Sequence, residues 1–231
     1  LSIIPFEEEF FRSHRIDVEF VGHPLMQQIE LGSLEETPPQ KSIIGILPGS
    51  RKKEISGLLP HFAQAALNVK KKFPELEFYI IKAPNVREEE ISRHWPDTLD
   101  YDTICFENRY RALKCCSMVM AASGTATLEC ALLGVPTIVA YKLSGVSFML
   151  ARLLVHVDFI SLPNLIMNKQ IFPEFMQSEV NGENLAGQLE HWLNYPEKTG
   201  EIRSELSKIR SKLGEHAASD RAAQIILESI T

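Results

Sequence analysis

Long apolar runs are missing from this 231-residue sequence. No stretch reaches the length of about 20 apolar residues that an α-helix needs to cross a bilayer. The opening stretch LSIIPFEEEFFRSHR is acidic, whereas a secretory signal peptide begins with basic residues. The sequence also lacks an initiator methionine, so we expect it to be a fragment with further sequence upstream.

Cysteine is scarce, with four residues in the chain. None of them forms a CxxC pair, and no histidine accompanies them at the spacing of a zinc site. This pattern indicates neither a disulfide framework nor a zinc site, and a reducing cytoplasm fits it best. We also expect no cofactor. The four residues are Cys105, Cys115, Cys116 and Cys130.

Basic charge is limited as well, because the formal net charge is −6. The one basic run, Lys70–Lys72, ends a predicted helix, where cations complement the helix dipole. A protein that binds duplex nucleic acid needs a basic face, so the composition argues against nucleic acid as a partner. Two phosphate-binding motifs are also missing, the Walker loop GxxxxGK[ST] and the dinucleotide fingerprint GxGxxG.

Short apolar runs alternate with helical patterns through the middle of the chain. Continuous apolar strands separated by helices are typical of a parallel sheet that is covered on both faces. The sequence therefore predicts a doubly wound α/β domain with a Rossmann-like parallel sheet over residues 42–178. We predict strands at 42–47, 76–82, 103–106, 118–122 and 136–141, and helices at 55–73, 86–95, 110–116 and 125–134.

The two ends of the chain differ from this middle region. Beyond Pro173 the sequence predicts helices and no strand, and these helices form a tail over 179–231. They are predicted at 181–195, 201–214 and 219–230. We assign residues 1–22, which contain a strand end and a short helix, to the end of a preceding domain. A linker over 23–41 follows, because ETPPQ places two prolines in a charged stretch.

The loop after the first predicted strand has the composition of an anion site. In ILPGSRKKE, Gly49 and Ser50 form a turn between strand and helix, where backbone N–H groups can bind an anion. Arg51 adds a fixed positive charge with planar donors. We therefore predict a phosphate-binding loop here, with an ordinary turn and a surface arginine as the alternative.

A second anion site is predicted where the strand 118–122 meets the next helix. Ser123, Gly124 and Thr125 open that helix, and Ser123 or Thr125 can cap it. Such an N-terminus suits a diphosphate, because its free N–H groups and its dipole favour negative charge. Glu129 lies one turn further on the same face, where its carboxylate can bind the ribose 2′- and 3′-hydroxyls. Alternatively, these residues are only caps and a first-turn acid.

Polar residues further along the chain suit a sugar. Asn164 is predicted in a loop after a strand, and Glu174 and Gln177 flank a proline-anchored turn, so we predict that these residues contact sugar hydroxyls. The stretch 146–157 just before them is apolar on nearly every face. It indicates a buried helix or a subunit interface, or else a surface that docks acyl chains or membrane.

Two histidines lack an evident carboxylate partner in the sequence, His23 in VGHPL and His156. Single histidines of this kind are structural more often than catalytic. We predict a structural role for His156. We keep His23, at the hinge between the predicted domains, as a candidate for lining a cleft.

The chain resembles the lipid-A-disaccharide synthases, a family of GT-B glycosyltransferases, in four motifs: LPGSRKKEI, ASGTATLECALLGVPTIVAYK, SLPNLI and FPEFMQ. The opening IIPFEEEFF…DVEFVGHPL is similar to the end of the family's N-terminal domain. The resemblance implies transfer of 2,3-diacylglucosamine from its UDP conjugate to 2,3-diacylglucosamine 1-phosphate, a lipid X type acceptor. The implied products are UDP and the β-1,6-linked lipid A disaccharide 1-phosphate, formed with inversion and without a metal.

The resemblance also implies roles for the predicted sites. Arg51 and the turn 123–125 hold the diphosphate, with Arg51 neutralising the leaving group, while Glu129 holds the ribose. The general base is expected in the N-terminal domain, outside this chain. The family further implies lipopolysaccharide synthesis in a Gram-negative bacterium, peripheral contact with the cytoplasmic face of the inner membrane, and a homodimer.

Two alternatives stay open at this point. One is another GT-B enzyme that uses UDP-N-acetylglucosamine, such as the undecaprenyl-linked N-acetylglucosamine transferase or a UDP-N-acetylglucosamine 2-epimerase. The other is a non-catalytic nucleotide-binding fragment. Binding of UDP without sugar transfer distinguishes the second alternative from an enzyme.

Overall fold

The computed structural model describes residues 1–30, 42–143, 158–214 and 217–230. Two predictions fall outside the described residues, namely the ETPPQ part of the linker and the apolar helix 146–157 with its His156. Within the described ranges, no helix is both long enough and apolar enough to cross a membrane.

One parallel sheet forms the centre of the described residues. Its strands are β1 (Ile43–Leu47), β2 (Glu77–Ile81), β3 (Asp102–Ile104), β4 (Met118–Ala122), β5 (Thr137–Tyr141) and β6 (Glu174–Met176). They follow the order β3-β2-β1-β4-β5-β6 across the sheet. The inner strands are apolar at consecutive positions because helices cover both faces of the sheet. The predicted doubly wound Rossmann-like fold is therefore confirmed.

The strand β6 corrects one prediction, because the sequence predicts no strand beyond Pro173. β6 is three residues long and pairs with β5 at the edge of the sheet, with Ala140 opposite Phe175. The N–H of Val139 also donates to the Pro173 carbonyl at 2.9 Å. Three residues are too few to reveal a period, so the pairing with β5 rather than a local pattern makes this segment a strand.

Helices connect the strands and form the C-terminal tail. The described α-helices are α1 (Pro5–Ser13), α2 (Leu25–Glu30), α3 (Lys52–Lys72), α4 (Glu88–Ser92), α5 (Arg109–Cys115), α6 (Thr125–Leu132), α7 (Leu162–Met167), α8 (Gly182–Asn194), α9 (Pro196–Leu206), α10 (Ile209–Lys212) and α11 (Ala218–Ile230). Short 3₁₀-helices occupy Phe106–Asn108 and Gln177–Glu179. The helical tail follows the prediction, apart from the break between α9 and α10.

Two helical segments differ from the predictions. The predicted linker 23–41 contains α2, because Leu25 and Ile29 are buried and pack in one cluster with α6. The helix predicted at 201–214 is divided into α9 and α10. Leu206 and Ile209 lie on either side of the break, and both are buried in that same cluster. Burial of apolar side chains, rather than the local sequence pattern, thus determines the conformation of both segments.

The core lies on both faces of the sheet. On one face α3 and α8 pack with alternate strand residues such as Ile44, and on the other face α5 and α6 pack with residues such as Leu47. This division follows from the two-residue period of a strand. The helices α3 and α8 approach so closely that a Cβ on Gly182 would lie 2.4 Å from the Gln64 side chain.

The chain reverses its direction across the sheet between β1 and β4. From β1 it moves outward to β2 and β3, and β4 then returns to the other side of β1. The carboxyl ends of β1 and β4 are neighbours, since Leu47 is opposite Ala121. Ligands of open α/β sheets bind in the crevice at such a switch point. Both loops predicted to bind phosphate follow these two strands.

Candidate functional site

A cavity of about 700 Å³ lies at the carboxyl ends of β1 and β4. Its walls come from the two predicted phosphate loops, from α2 with the residues before it, and from the segment after β3. Pockets of this size hold small molecules and cofactors. Its lining residues include His23, Arg51, Arg109, Gly124, Thr125 and Glu129.

The N-terminus of α6 opens into this cavity. Gly124 is the N-cap residue, and no side chain caps the helix, so the predicted cap by Ser123 or Thr125 is wrong. Ser123 Oγ instead donates to the Ile160 carbonyl at 3.1 Å. Among the described residues, the N–H groups of Thr125 and Ala126 have no acceptor. Uncapped N–H groups at a helix N-terminus favour an anion, and both residues line the cavity.

The first predicted phosphate loop already contains a carboxylate. Glu54 Oε2 accepts the backbone N–H groups of Ser50 at 3.1 Å and of Arg51 at 3.2 Å. A Cβ on Gly49, whose φ is +102°, would lie 2.6 Å from Glu54 Oε2, so the glycine allows this close contact. Two N–H groups of the predicted phosphate loop, those of Ser50 and Arg51, are thus bound to Glu54.

The side chain of Arg51 extends from this loop to the cavity. Its Nη1 donates to Glu54 Oε1 at 2.8 Å, and the side chain is 82% exposed. A guanidinium has five N–H donors, so most of them are left for a ligand. The side chain of Arg51 therefore remains available as a charged donor to a ligand. The backbone N–H groups of Ser50 and Arg51 are not available, because Glu54 accepts them.

Glu129 lies at the cavity with one carboxylate oxygen occupied. Oε1 accepts hydrogen bonds from Arg109 Nε at 3.1 Å, from Arg109 Nη2 at 3.1 Å and from the Tyr110 hydroxyl at 3.0 Å. Oε2 accepts no hydrogen bond from any residue that the structure describes. The Glu129 side chain is 9% exposed, and the residue lines the cavity. Its free oxygen is where the predicted contact with a ribose has to form.

Arg109 is a site residue that the sequence reasoning missed. Its guanidinium carbon lies 3.7 Å from the ring centroid of Phe106 and 4.0 Å from that of Tyr110. The Arg109 side chain is 13% exposed and donates to the Phe106 carbonyl at 3.0 Å. The available signal was the position of FENRY directly after β3, at the carboxyl edge of the sheet. Stacking and ion pairing together hold the cation in a partly dry place.

The aromatic partner Tyr110 connects Glu129 to α2. Burial, followed by the negative charge of Glu129, raises the pKa of Tyr110 to about 12. Its hydroxyl donates to Glu129 and also lies 3.5 Å from Gln28 Oε1. The phenol therefore keeps its proton to a higher pH than an ordinary tyrosine does, and it donates that proton to the carboxylate.

His23 lies on the cavity wall, as the hypothesis of a cleft-lining histidine requires. The residue is buried, and Nδ1 accepts the N–H of Leu25 at 3.2 Å. Burial lowers the pKa of His23. The ring is therefore held neutral at the edge of the cavity.

Asn164 does not line the cavity. It lies in α7 rather than in a loop, it is 0% exposed, and its Oδ1 accepts the N–H groups of Ile171 and Phe172 at 2.9 Å each. Its Nδ2 donates to the Phe172 carbonyl at 2.8 Å and to Glu174 Oε1 at 2.7 Å. These contacts use its amide fully, so its position supports packing of the chain before β6 rather than sugar binding.

Glu174 and Gln177 also lie away from the cavity wall. Glu174 begins β6, where Oε2 accepts the N–H of Ile160 at 2.9 Å and Oε1 accepts both the N–H and the Oγ–H of Ser161. Gln177 has a φ of 50°, and its amide faces the backbone N–H and carbonyl of Leu143. Of the predicted site residues, the cavity contains Gly49, Ser50, Arg51, Ser123, Gly124, Thr125 and Glu129.

The parallel sheet, the cavity at its switch point and the helical tail define the α/β fold of the GT-B glycosyltransferases. A structure of UDP-GlcNAc 2-epimerase from Neisseria meningitidis bound to UDP-GlcNAc has a TM-score of 0.64 at 16% identity, covering 99% of this chain and 61% of that chain. Spinosyn rhamnosyltransferase SpnG complexed with thymidine diphosphate has a TM-score of 0.52 at 16% identity, covering 79% and 45%. At such low identity these similarities establish the fold alone.

The family follows from closer relatives. The family model for lipid-A-disaccharide synthetase matches residues 1–229, so the chain belongs to that family, as its motifs predict. The lipid-A-disaccharide synthase of Syntrophus aciditrophicus (strain SB) is 35% identical over 239 residues, covering 99% of this chain and 62% of the relative. That of Persephonella marina (strain DSM 14350 / EX-H1) is 34% identical over 242 residues, covering 99% and 64%. The chain thus spans less than two thirds of these relatives.

Proposed function

We propose that this chain is the donor-binding part of a glycosyltransferase of lipid A biosynthesis. The reaction joins UDP-2,3-diacylglucosamine to 2,3-diacylglucosamine 1-phosphate and yields the β-1,6 disaccharide 1-phosphate and UDP. The observation that carries the proposal is the free N-terminus of α6 one helical turn from the free oxygen of Glu129, in one cavity. Membership of the lipid-A-disaccharide synthase family supports the choice of substrates.

The spacing within α6 suits a nucleoside diphosphate. Thr125 is the first helical residue and Glu129 lies four residues later, which corresponds to an axial rise of about 6 Å. We place the diphosphate on the N–H groups of Thr125 and Ala126 and the ribose hydroxyls on Glu129 Oε2. Arg109 and Tyr110 occupy the other oxygen of that carboxylate and so orient it. These contacts are with the part of the donor that all UDP-sugars share.

The contribution of this chain to the proposed reaction is to stabilise the leaving group. The acceptor 6-hydroxyl attacks the anomeric carbon, the bond from that carbon to the diphosphate oxygen breaks, and UDP departs with an additional negative charge. Arg51 and the dipole of α6 are fixed donors for that charge, and such preorganised donors favour the transition state. The proton of the acceptor hydroxyl requires a general base, which we assign to the part of the relatives' length that this chain does not span.

Calorimetric titration of UDP into the purified protein tests the donor site. We expect UDP to bind, and we expect Arg51→Ala and Glu129→Ala each to weaken binding by about 1–3 kcal/mol, as for a hydrogen bond to a charged group. Lys53→Ala is the matched control, because Lys53 is exposed and lies off the cavity wall. Circular dichroism verifies that each variant is folded. A folded wild-type protein that does not bind UDP would refute the proposal.

The substrates are tested by a transfer assay on the full-length protein. We expect the acylated donor and acceptor to give the disaccharide, identified by mass spectrometry, and UDP-N-acetylglucosamine to give none. Epimerisation or transfer with the unacylated donor supports another GT-B enzyme instead. UDP binding without either reaction supports a non-catalytic module. Because the proposed substrates carry acyl chains, vesicle flotation then tests the proposed peripheral membrane contact, and light scattering tests the proposed homodimer.

A further inference from the structure

His23 is fixed on the cavity wall by its backbone and by one ring nitrogen. Its N–H donates to the Leu213 carbonyl at 3.1 Å, and its carbonyl accepts the N–H of Met26 at 3.1 Å. The residue is 6% exposed, and Nδ1 accepts the N–H of Leu25 at 3.2 Å. These contacts determine where the second ring nitrogen, Nε2, lies.

The same contacts determine which nitrogen carries the proton. Because Nδ1 accepts a hydrogen bond, the proton of the neutral imidazole is on Nε2. Burial lowers the pKa of His23 and so favours this neutral ring. In the neutral form the residue therefore offers one N–H donor.

The second ring nitrogen, Nε2, has no acceptor among the residues that the structure describes, where the hydrogen bond of the His23 side chain is the one at Nδ1. His23 lines the same cavity as Gly124 and Thr125. A donor without a described acceptor therefore belongs to a residue in the wall of the cavity that the N-terminus of α6 also lines.

The packing of α2 brings His23 to this place. α2 begins two residues after His23, and its Leu25 packs in one cluster with Leu128 of α6. We propose that His23 donates a hydrogen bond from Nε2–H to the diphosphate of the bound UDP-sugar. This inference rests on the proposed function and adds a donor from outside the two phosphate loops. A neutral donor also adds no charge repulsion beside Arg51, and its bond strengthens as charge develops on the departing UDP.

A pair of amide variants separates donation from a structural role. In His23→Asn the side-chain oxygen can still accept the N–H of Leu25, but the donor at the Nε2 position is lost. In His23→Gln an amide N–H₂ reaches the Nε2 position. We expect His23→Asn to weaken UDP binding about 10- to 100-fold, as for a bond to a charged group, and His23→Gln to recover part of that loss. Uridine, which has no diphosphate, is the matched ligand, and its affinity should be the same in all three proteins.

The ¹⁵N NMR spectrum of His23 provides a readout that does not depend on the variants. We expect the signature of the Nε2–H tautomer in the free protein and a shift of the Nε2 resonance with UDP but not with uridine. An Nδ1–H tautomer, an unshifted Nε2, or equal losses for UDP and uridine in His23→Asn would overturn the inference. If the wild type binds no UDP, the proposed function fails as well. If it binds UDP and His23→Asn binds it equally, the assignment of His23 alone fails.

Discussion

Glu54 holds Arg51 at both ends: Oε2 accepts the backbone N–H of Arg51 at 3.2 Å, and Oε1 accepts Nη1 at 2.8 Å. The carboxylate occupies the position that a phosphate needs in order to accept the N–H groups of Ser50 and Arg51. A diphosphate in this cavity therefore depends on the remaining donors of Arg51 and on the N-terminus of α6. The two predicted anion sites thus differ in their backbone donors. The turn 123–125 has N–H groups without a described acceptor, whereas those of Ser50 and Arg51 are bound to Glu54.

Loss of Glu54 is predicted to destabilise the start of α3. In Glu54→Ala the N–H groups of Ser50 and Arg51 lose their acceptor, and we expect the free energy of unfolding to fall by about 0.5–2 kcal/mol. Urea denaturation measures this change. Glu89→Ala is the control, since Glu89 is an exposed acid in the first turn of α4, and its effect should stay within about 0.5 kcal/mol. Equal effects of the two variants would contradict the assigned role of Glu54.

Removal of Arg109 is predicted to cost more stability than removal of the whole ion pair. Arg109→Met leaves the buried carboxylate of Glu129 without its cation, and we expect a loss of about 3 kcal/mol in the free energy of unfolding. The double variant Arg109→Met with Glu129→Gln leaves no unpaired charge and should lose less. Chemical denaturation of the wild type, both single variants and the double variant gives the coupling energy. Additive losses would mean that Arg109 and Glu129 act independently.

The sequence predicts the fold well where one element is long enough to show its own pattern. IIGIL and MVMAA read as buried strands, and the helix α3 extends over 21 residues. α2 and β6 were missed because their conformations depend on burial against α6 and on pairing with β5. Such contacts are made by residues distant in sequence, so no local window contains them.

The same distinction between neighbours in sequence and contacts made by the fold applies to the candidate site. The turn 123–125 and Glu129 were predicted together because they are neighbours in sequence at the end of a strand, and all of them line the cavity. Arg109 was missed, since only the fold brings it to Glu129, which lies 20 positions later. Asn164 was assigned to a sugar because it is polar and follows Pro163, a pattern that cannot distinguish a ligand contact from a buried support. Burial, which the sequence does not state, separates these two roles.

Ionisation of Tyr110 is predicted to lower stability at alkaline pH. An ordinary tyrosine ionises near pH 10, whereas burial and then Glu129 raise the pKa of Tyr110 to about 12 in the folded protein. Between these values the unfolded state has lost the proton and the folded state retains it, so the free energy of unfolding falls as the pH rises. Denaturation curves of Tyr110→Phe should show a smaller fall than those of the wild type.

In Tyr110→Phe the free energy of unfolding should still fall at alkaline pH, although by less than in the wild type. The remaining fall is expected because burial also raises the pKa of Tyr79 and Tyr101. Tyr195→Phe, which removes an exposed phenol, serves as the control and should retain the fall of the wild type. Identical pH profiles for Tyr110→Phe and the wild type would argue against the buried hydrogen bond to Glu129.

Asn164 is predicted to support stability and not affinity. Asn164→Ala leaves the N–H groups of Ile171 and Phe172 without an acceptor, and we expect a loss of at least about 2 kcal/mol in the free energy of unfolding. Under conditions where the variant is folded, its affinity for UDP should equal that of the wild type. Asn194→Ala, at an exposed position near the end of α8, should change neither quantity. Weaker binding of the UDP-sugar but not of UDP by Asn164→Ala would restore the original prediction of a sugar contact.

Glu129 is predicted to recognise the ribose through its free oxygen. Glu129→Gln has nearly the shape of the wild type and keeps an oxygen for Arg109, but it lacks the negative charge that the ribose hydroxyls would bind. We expect UDP affinity to fall by about 1–3 kcal/mol, whereas 2′,3′-dideoxyuridine diphosphate, which lacks both hydroxyls, should bind the two proteins equally. Calorimetry with both ligands measures the difference. If the variant weakened both ligands to the same extent, Glu129 would act only by holding Arg109 and Tyr110, and the ribose would have to bind elsewhere in the cavity.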